Sequence, residues 1–419
     1  MIERFRRIVS GQRMLALYDQ AVVSGSNFLT MILIARQLRA EDFGMFSLAM
    51  MSMLFLGNLH RAIFTQPMNI LGAGDAPSVF AGRFLALLKV HRFAIPIATA
   101  ILAVISQIFF PETSLLVAVA IYVACYFLQE MLRRYWYTLR ETDKALRNDL
   151  ISYAGQVVII LLVGSFLPLD STLAFSIMAF TSLFAFLAGL AQLRLPPSVE
   201  RYHSWQVLVQ QWTLAKWLIL TVLAVWGAGQ VYPFLIAPLG PLVVASFSAC
   251  RNLLNALGIV IQSIGNYLPT HAAVLLQHGG KAALGQHICK TFIAVTALAL
   301  AFLFVTQMYA EELLHLVFGG TYDSAAPLLK ILAWGAVSTL FASALGSYSL
   351  AMGDSRSGFL ANLAASAFTF TGGFFLIQTQ GVTGAAIATT FSLATAMLIQ
   401  GALVAIRYRR ITERGTASA

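Results

Sequence analysis

Three cationic side chains, Arg61, Lys216 and Arg251, lie inside stretches of the sequence that are otherwise apolar. An arginine at the centre of a bilayer costs roughly 2.5–3.5 kcal/mol on insertion scales, so it needs a partner or a water-filled cavity. Guanidinium groups bind phosphate oxygens through paired, charge-assisted hydrogen bonds. The pattern therefore predicts that Arg61 and Arg251 contact a phosphate-bearing ligand.

Further polar residues accompany these cations. Asn255, Gln262 and Asn266 follow Arg251 at steps of four and seven, which places all four on one face of a helix. We include Asn255, His60 and Lys216 with the two arginines as candidate substrate-binding residues. Alternatively, Lys216 extends to the membrane surface, and His60 points about 100° away from its neighbour Arg61.

Asp19 is the one clear acid within the predicted spans, and it is the candidate for a coupling or gating role. The alternative is a structural ion pair with Arg61. At about 1.5 Å per residue, the heights of Asp19 and Arg61 in their helices differ by roughly 6 Å, which a long side chain can bridge.

The composition is that of a membrane protein. Hydrophobic residues make up 59% of the 419 residues and charged residues 11%, with a mean hydropathy of +0.78. Apolar stretches of roughly 20 residues, long enough to span a bilayer, recur about twelve times. They cover 14–37, 44–70, 92–110, 114–137, 149–167, 172–193, 212–237, 242–268, 287–308, 327–350, 358–378 and 383–406.

Two amphipathic connections, 79–92 and 197–211, either lie in the interface plane or begin spans three and seven.

The basic residues orient these spans. Most of the 27 Lys and Arg residues fall in the connections on the side of the N-terminus, whereas Arg36, Arg39 and Lys330 fall on the other side. The positive-inside rule then predicts cytoplasmic N- and C-termini. Because the excess positive charge is spread over many loops as an insertion signal, we do not expect nucleic-acid binding.

The two halves of the sequence resemble each other at a spacing of about 200 residues. Phe46-Ser47 corresponds to Phe247-Ser248, and Pro67 corresponds to Pro269. An even number of spans per half gives parallel repeats. We predict an all-α polytopic protein with about twelve transmembrane helices in two six-helix lobes around a central cavity, an N-terminal lobe over 1–205 and a C-terminal lobe over 206–419. Rocking of the lobes would give alternating access.

Several kinds of chemistry have no sequence signature in this chain. It contains no phosphate-binding G-x-x-x-x-G-K-[ST] loop and no Cys/His cluster with zinc spacing. We therefore predict that the protein is not an enzyme and holds no cofactor or metal. A gradient of H⁺ or Na⁺ could drive transport, with the ion left unassigned.

Three segments carry a resemblance to a known family. The first runs from Tyr18-Asp19-Gln20 to Asn27-Phe28 and on through Leu33-Ile34-Ala35-Arg36-Gln37-Leu38 to Glu41-Asp42-Phe43-Gly44. The others are the stretch from Phe318-Gly319-Gly320-Thr321-Tyr322 to Leu332, and Gly381-Val382-Thr383-Gly384 with the residues to Thr389. Together they resemble polysaccharide-type (Wzx-like) lipid-linked oligosaccharide flippases of the multidrug/oligosaccharidyl-lipid/polysaccharide exporter superfamily.

This resemblance implies a V-shaped pair of six-helix bundles with a cationic cavity, in which Arg61 and Arg251 engage the diphosphate of an undecaprenyl-diphosphate-linked glycan. It also implies the bacterial cytoplasmic (inner) membrane, a role in O-antigen or exopolysaccharide synthesis, and a polysaccharide polymerase and a chain-length regulator as partners. The related peptidoglycan-precursor flippases usually have fourteen spans, which argues against that cargo.

Two other functions remain open. A multidrug/cation antiporter of the same superfamily would need an acidic, aromatic-lined cavity, whereas the intramembrane charges here are mainly positive. A membrane-embedded glycan polymerase or ligase would need a large periplasmic loop, and no connection in the sequence is long enough to form one.

Overall fold

A computed structural model describes the backbone of residues 2–411 and their side chains except those of 2–13, 16, 17 and 266. The first six helices are α1 (Ile2–Gln37), α2 (Ala40–Gly72), α3 (Pro77–Phe109), α4 (Thr113–Thr138), α5 (Thr142–Phe166) and α6 (Ser171–Gln192). The second six are α7 (Ser204–Gln230), α8 (Pro241–Leu254, continuing over 256–279), α9 (281–308), α10 (Asp323–Ala351), α11 (356–380) and α12 (382–410).

Two glycines separate helices that follow each other without a loop. Gly280 has φ +66° and Gly381 has φ +60°, in the left-handed region that only glycine adopts readily. The rings of His271 and His287 lie 4.9 Å apart, although a straight helix would separate these residues by about 24 Å. Thr369 and Ser392 hydrogen-bond at 2.9 Å across the second turn. The chain therefore reverses at both glycines.

Some helices present apolar side chains that are exposed among the described residues. On α3, Phe93, Ile97, Val104 and Ile108 are between 59% and 69% exposed. Their spacing places them on one face, and α9 has a similar face with Ile293 and Phe304. Apolar surfaces of this extent are unfavourable in water and are typical of helices that contact lipid.

The fold class predicted from the sequence is confirmed. Nine helical stretches of the described chain are long and apolar enough to cross a membrane, and two of these are the pairs α8–α9 and α11–α12 that reverse at Gly280 and Gly381. With α1, the described residues form twelve long helices, and a short helix, Ala310–Phe318, lies between α9 and α10. The segment 79–92 belongs to the continuous helix α3, and α7 begins at Ser204 within the segment 197–211, so both connections are mainly the starts of spans.

Two compact units divide the chain, Met1–Val222 and Leu223–Ala419. The boundary falls inside α7. Val207, near the start of this helix, belongs to the first unit and packs with Phe80 and Trp136. In the second unit, Leu268, Leu284, Tyr348 and Val404 form a core that joins α8, α9, α10 and α12. The predicted division at 205/206, and the arrangement of two lobes around a cavity, stay predictions.

The same helix pairs pack together inside each unit. In the first unit α1 packs on α5 and α4 on α6; in the second, the end of α7 packs on α11 and α10 on α12. Hydroxyl pairs repeat as well, since Ser152 of α5 contacts Ser182 of α6 and Thr369 of α11 contacts Ser392 of α12. A duplicated six-helix unit would produce this matched pairing.

The tight turn at Gly381 yields a stability prediction. A Cβ atom added to Gly384 would overlap the carbonyl oxygen of Leu376 across the turn. We expect Gly384→Ala to destabilise the protein by about 1–3 kcal/mol through overpacking, visible as a lower midpoint of thermal unfolding in detergent. The matched control is Gly265→Ala in α8, where no atom lies within 4 Å of the added Cβ. Equal midpoints for the two variants would contradict the close approach at Gly384.

Candidate functional site

Arg61 lies at a local widening of α2. Residues Arg61–Thr65 form one π-helical turn, closed by the backbone N–H of Gln66 donating to the carbonyl of Arg61. Pro67 has no N–H and clashes with the carbonyl four residues earlier in a regular helix, so a wider turn just before it relieves the strain. The Arg61 side chain is exposed. Among the described side chains it forms no hydrogen bond or salt bridge, although it lies near enough to Glu130 for an electrostatic interaction.

His60 lies on the opposite, buried face of the same turn. Its ring is 2% exposed, stacks on Phe127 at 4.1 Å and hydrogen-bonds to His91 through the two Nε2 atoms at 2.9 Å. Because Nδ1 of His91 contacts the carbonyl of Leu87, Nδ1 of His91 is the donor there and its Nε2 accepts from His60. A side chain packed in this way positions α2 against α3, and its assignment as a substrate-binding residue stays a prediction.

Asp19 is fully buried and pairs with Arg133 of α4, not with Arg61. Arg133 Nη2 donates to Asp19 Oδ2 at 2.9 Å, and the Tyr137 hydroxyl donates to the same oxygen. The suggested Asp19–Arg61 ion pair is therefore wrong. The physical reason is that α4 brings a second cation to the same depth, closer to Asp19 than α2 can bring Arg61.

Arg133 connects three acids. Besides Asp19, its Nε donates to Asp149 Oδ2 at 2.5 Å and its Nη1 lies 3.6 Å from Glu130 Oε2. Arg134 pairs with Glu130 at 2.6 Å, as the i,i+4 spacing in the sequence predicts. The side chains of Asp19, Glu130 and Asp149 are at most 2% exposed. We call Asp19, Glu130, Arg133, Arg134 and Asp149 the buried charge cluster.

The sequence interpretation did not assign Arg133 or Asp149 to a site. Both stand near span ends, where basic residues are ordinarily insertion signals in cytoplasmic loops. The sequence contains one indication that Asp149 pairs with a cation. Asp149 stands next to the long apolar run of α5, and an acid buried beside such a run needs a cationic partner.

Arg251 has a different environment in the second unit. Its Nη2 donates to the side-chain oxygen of Gln230 at 2.5 Å, and its guanidinium lies 5.9 Å from the centre of the Phe247 ring. The Nη1 atom is buried and has no hydrogen-bond partner among the described residues. Within the described part of the chain, no carboxylate lies within salt-bridge distance of Arg251.

Gln230 reaches Arg251 because α7 also contains a π-helical turn, over Trp226–Gln230. Next to Arg251, the amide nitrogen of Asn252 is buried without a partner. Both unsatisfied groups are hydrogen-bond donors, so this location lacks acceptors, and an anion would supply them.

The remaining candidates are more exposed. Asn255 stands at the junction of the two parts of α8, where its N–H bonds to the carbonyls of both Arg251 and Asn252. This turn interrupts the regular helix on which the shared polar face of Arg251, Asn255 and Gln262 was predicted. The side chains of Asn255 and Gln262 are exposed. The side chain of Asn266 lies outside the described residues. Lys216, on α7, is exposed with its amine 5.7 Å from the Trp217 ring.

The buried charge cluster yields a second stability prediction. Replacing Arg133 by Gln leaves three buried acids with one cation, so we expect a loss of about 3–5 kcal/mol of stability, measured by thermal unfolding. Adding Asp19→Asn to this variant should restore part of the loss, because one of the unpaired acids is removed. Arg147→Gln is the control, since the Arg147 side chain is 69% exposed. A midpoint for Arg133→Gln equal to that of Arg147→Gln would contradict the role of Arg133.

Comparison with known proteins gives a fold match only. No protein-family model and no curated protein sequence matches the chain. Among solved structures, an inward-facing multidrug resistance MATE family transporter of the MOP superfamily superposes with a TM-score of 0.75 at 13% identity, over 95% of this chain and 96% of that one. The lipid II flippase MurJ gives 0.69 at 11% identity, over 96% and 89%.

A third structure is a MOP superfamily transporter from Pyrococcus furiosus, described as having a binding pocket of reversed polarity. It gives a TM-score of 0.63 at 12% identity, over 96% of this chain and 95% of the other. The first and third of these structures are described as transporters of the MOP superfamily, and the second as a lipid II flippase. The chain therefore has the fold shared by MATE transporters and the flippase MurJ.

Proposed function

We propose that this protein is a flippase that carries an undecaprenyl-diphosphate-linked oligosaccharide across the bacterial cytoplasmic membrane by alternating access. The glycan would serve the synthesis of a surface polysaccharide such as O-antigen or exopolysaccharide. A polymerase and a chain-length regulator would act on it after transport. Arg61 and Arg251 would bind the diphosphate, with Lys216 and Asn255 contacting the diphosphate or the sugars.

The observation that carries this proposal is the contrast between two kinds of arginine. Arg133 and Arg134 are held by acids of the buried charge cluster. Arg61 and Arg251 have no salt bridge to any described residue, and one Arg251 nitrogen is buried and unsatisfied. A cation kept at membrane depth without a carboxylate is costly, so its retention favours an anionic ligand.

The chemistry of the ligand follows from the donors present. Guanidinium groups match phosphate oxygens in a planar, two-bonded geometry, whereas a cationic drug would be repelled by them. The acids that could attract a cationic drug, Asp19, Glu130 and Asp149, are already occupied by Arg133 and Arg134. These contacts favour the flippase over the multidrug antiporter, although MATE transporters share the fold.

The route of a lipid-linked glycan also suits the proposal. Sugar hydroxyls cannot cross hydrocarbon without a large desolvation cost, so they need a polar path while the polyprenyl chain stays in lipid. MurJ, which shares the fold, is itself a flippase of a lipid, lipid II. The twelve long helices of the described chain agree with the twelve spans expected of this kind of flippase rather than with fourteen.

Asp19 stays the candidate for ion coupling. It and Asp149 both contact Arg133 and lie within hydrogen-bonding reach of each other, and each has one buried oxygen without a partner. The buried charge cluster holds three acids and two arginines. One proton or one Na⁺ would therefore neutralise it, and releasing that ion would change the contacts between α1, α4 and α5.

We expect Arg61→Gln and Arg251→Gln each to slow translocation of a fluorescent undecaprenyl-diphosphate-linked oligosaccharide in proteoliposomes by about 10- to 100-fold, because each removes charged hydrogen bonds to the diphosphate. The lysine variants should keep part of the rate, since they retain the charge without the paired donors. Arg147→Gln should behave as wild type. Unchanged glycan translocation in both glutamine variants, with reduced efflux of a cationic dye, would favour the multidrug antiporter instead.

For Asp19, we expect wild-type translocation to accelerate when a proton or Na⁺ gradient is imposed, and Asp19→Asn to translocate at one rate with or without the gradient. Tyr137→Phe is the matched control, because it removes one hydrogen bond to Asp19 and leaves the carboxylate and Arg133 in place. Binding of the lipid-linked diphosphate, measured separately, should survive in both variants. A gradient response of Asp19→Asn equal to that of the wild type would remove the coupling role.

A further inference from the structure

An apolar groove of about 550 Å³ opens on the second unit between α9, α10 and α12. Gly285, Ile288 and Phe292 line it from α9, Leu345 from α10, and Gly401 and Val404 from α12. Its volume lies within the range of about 300–1,000 Å³ that is typical of ligand sites. The groove is open along one side, and its lining residues belong to helices that are long and apolar enough to cross a membrane.

Two glycines and a tyrosine form this groove. A Cβ atom on Gly285 would overlap the hydroxyl of Tyr408, which itself donates to the carbonyl of Lys281 at 3.0 Å. Gly401 leaves space below Leu345, whose nearest carbon would be 3.6 Å from an added Cβ. Side chains at these two glycines would fill the space that the groove occupies.

One end of the groove is strongly basic. The Lys281 amine lies 3.0 Å from the carbonyl of Ile411 and 3.3 Å from that of Arg409, at the end of α12. This cation stabilises the negative end of the helix dipole. Arg407, Arg409 and Arg410 are exposed around it. The described residues at this end include one acid, Asp354, which interacts with Arg407.

We propose that this groove binds an anionic phospholipid of the cytoplasmic leaflet. One acyl chain lies along Ile288, Phe292 and Val404, and the phosphate headgroup meets Arg409 and Arg410 at the basic end. Basic pockets between transmembrane helices on the cytoplasmic side are a recognised binding site for anionic headgroups, and each basic residue near the surface contributes about 1 kcal/mol. A zwitterionic lipid would gain the apolar contacts but little from the arginines.

The dimensions favour a phospholipid over the prenyl chain of a transported substrate. From Gly285 to Phe292 and from Tyr408 to Gly401, the groove extends about 10 Å along the helices, which is the depth of part of one leaflet. An acyl chain would fill this length with about half of its carbons, whereas a much longer polyprenyl chain would leave most of its length outside the groove. The inference is independent of the proposed function, because it concerns α9, α10 and α12 and not Arg61 or Arg251.

The test uses the full-length protein purified in detergent and titrated with dioleoylphosphatidylglycerol or dioleoylphosphatidylcholine, with bound lipid counted by native mass spectrometry. We expect the wild type to bind phosphatidylglycerol more tightly. Arg409→Gln combined with Arg410→Gln should weaken that binding roughly 30-fold, about five-fold for each arginine. Ala405→Trp, on an exposed residue that lines the groove, should reduce binding of both lipids by filling the groove.

Lys330→Gln is the matched control, since it removes an exposed cation from the start of α10 in the same unit, and it should bind phosphatidylglycerol as the wild type does. Equal affinity of the wild type for the two lipids would overturn the proposal. So would wild-type binding by the double arginine variant, which retains its fold because both side chains are exposed. Displacement of phosphatidylglycerol by an equimolar amount of undecaprenyl phosphate would assign the groove to the prenyl chain and also overturn it.

Discussion

Charge inside a low-dielectric membrane has to be neutralised, and the first unit is organised around one residue that does this. Arg133 lies among Asp19, Glu130 and Asp149, so α1, α4 and α5 meet at a single guanidinium group. Its fork of donors contacts all three acids from one side chain. The Tyr135 and Trp136 rings, which follow the two arginines on α4, are buried in an apolar core of the same unit.

The polar groups of the second unit are satisfied mainly by neutral partners. This unit contains no comparable group of acids among its described residues, and polar contacts are made by hydroxyls, amides and backbone carbonyls. Ser392 donates to the carbonyl of Ala228, and Tyr232 and Thr369 complete a neutral network. Because such groups satisfy each other without charge, Arg251 stands out among the described residues of this unit, since its Nη1 atom is buried and has no hydrogen-bond partner. This difference between the units is the basis for placing an anionic ligand near Arg251.

Wider helical turns occur where polar side chains are needed. The described chain has π-helical turns at Arg61–Thr65, Leu150–Ala154, Trp226–Gln230 and Thr369–Gly373. Each contains or adjoins a polar residue used in a contact between helices or offered to a ligand. A wider turn frees backbone groups and rotates the following residues, so one helix can present both an apolar face and a polar side chain at the same depth. Two of the four turns occupy equivalent helices, α5 and α11, which supports an origin by duplication.

The sequence by itself determined the all-α polytopic class and about twelve spans, because the length of an apolar run is a local property of the chain. It also identified Arg61 and Arg251 as cations in apolar surroundings. Only the tertiary structure decided that Asp19 pairs with Arg133, that His60 is buried against His91 and that Gln230 contacts Arg251. These partners are far apart in the sequence, and which helix brings a charge to a given depth depends on how the helices pack and turn. The breaks between spans 242–268 and 287–308 and between spans 358–378 and 383–406 were predicted, but only the structure showed that one glycine with a left-handed backbone, Gly280 or Gly381, makes each reversal without a loop.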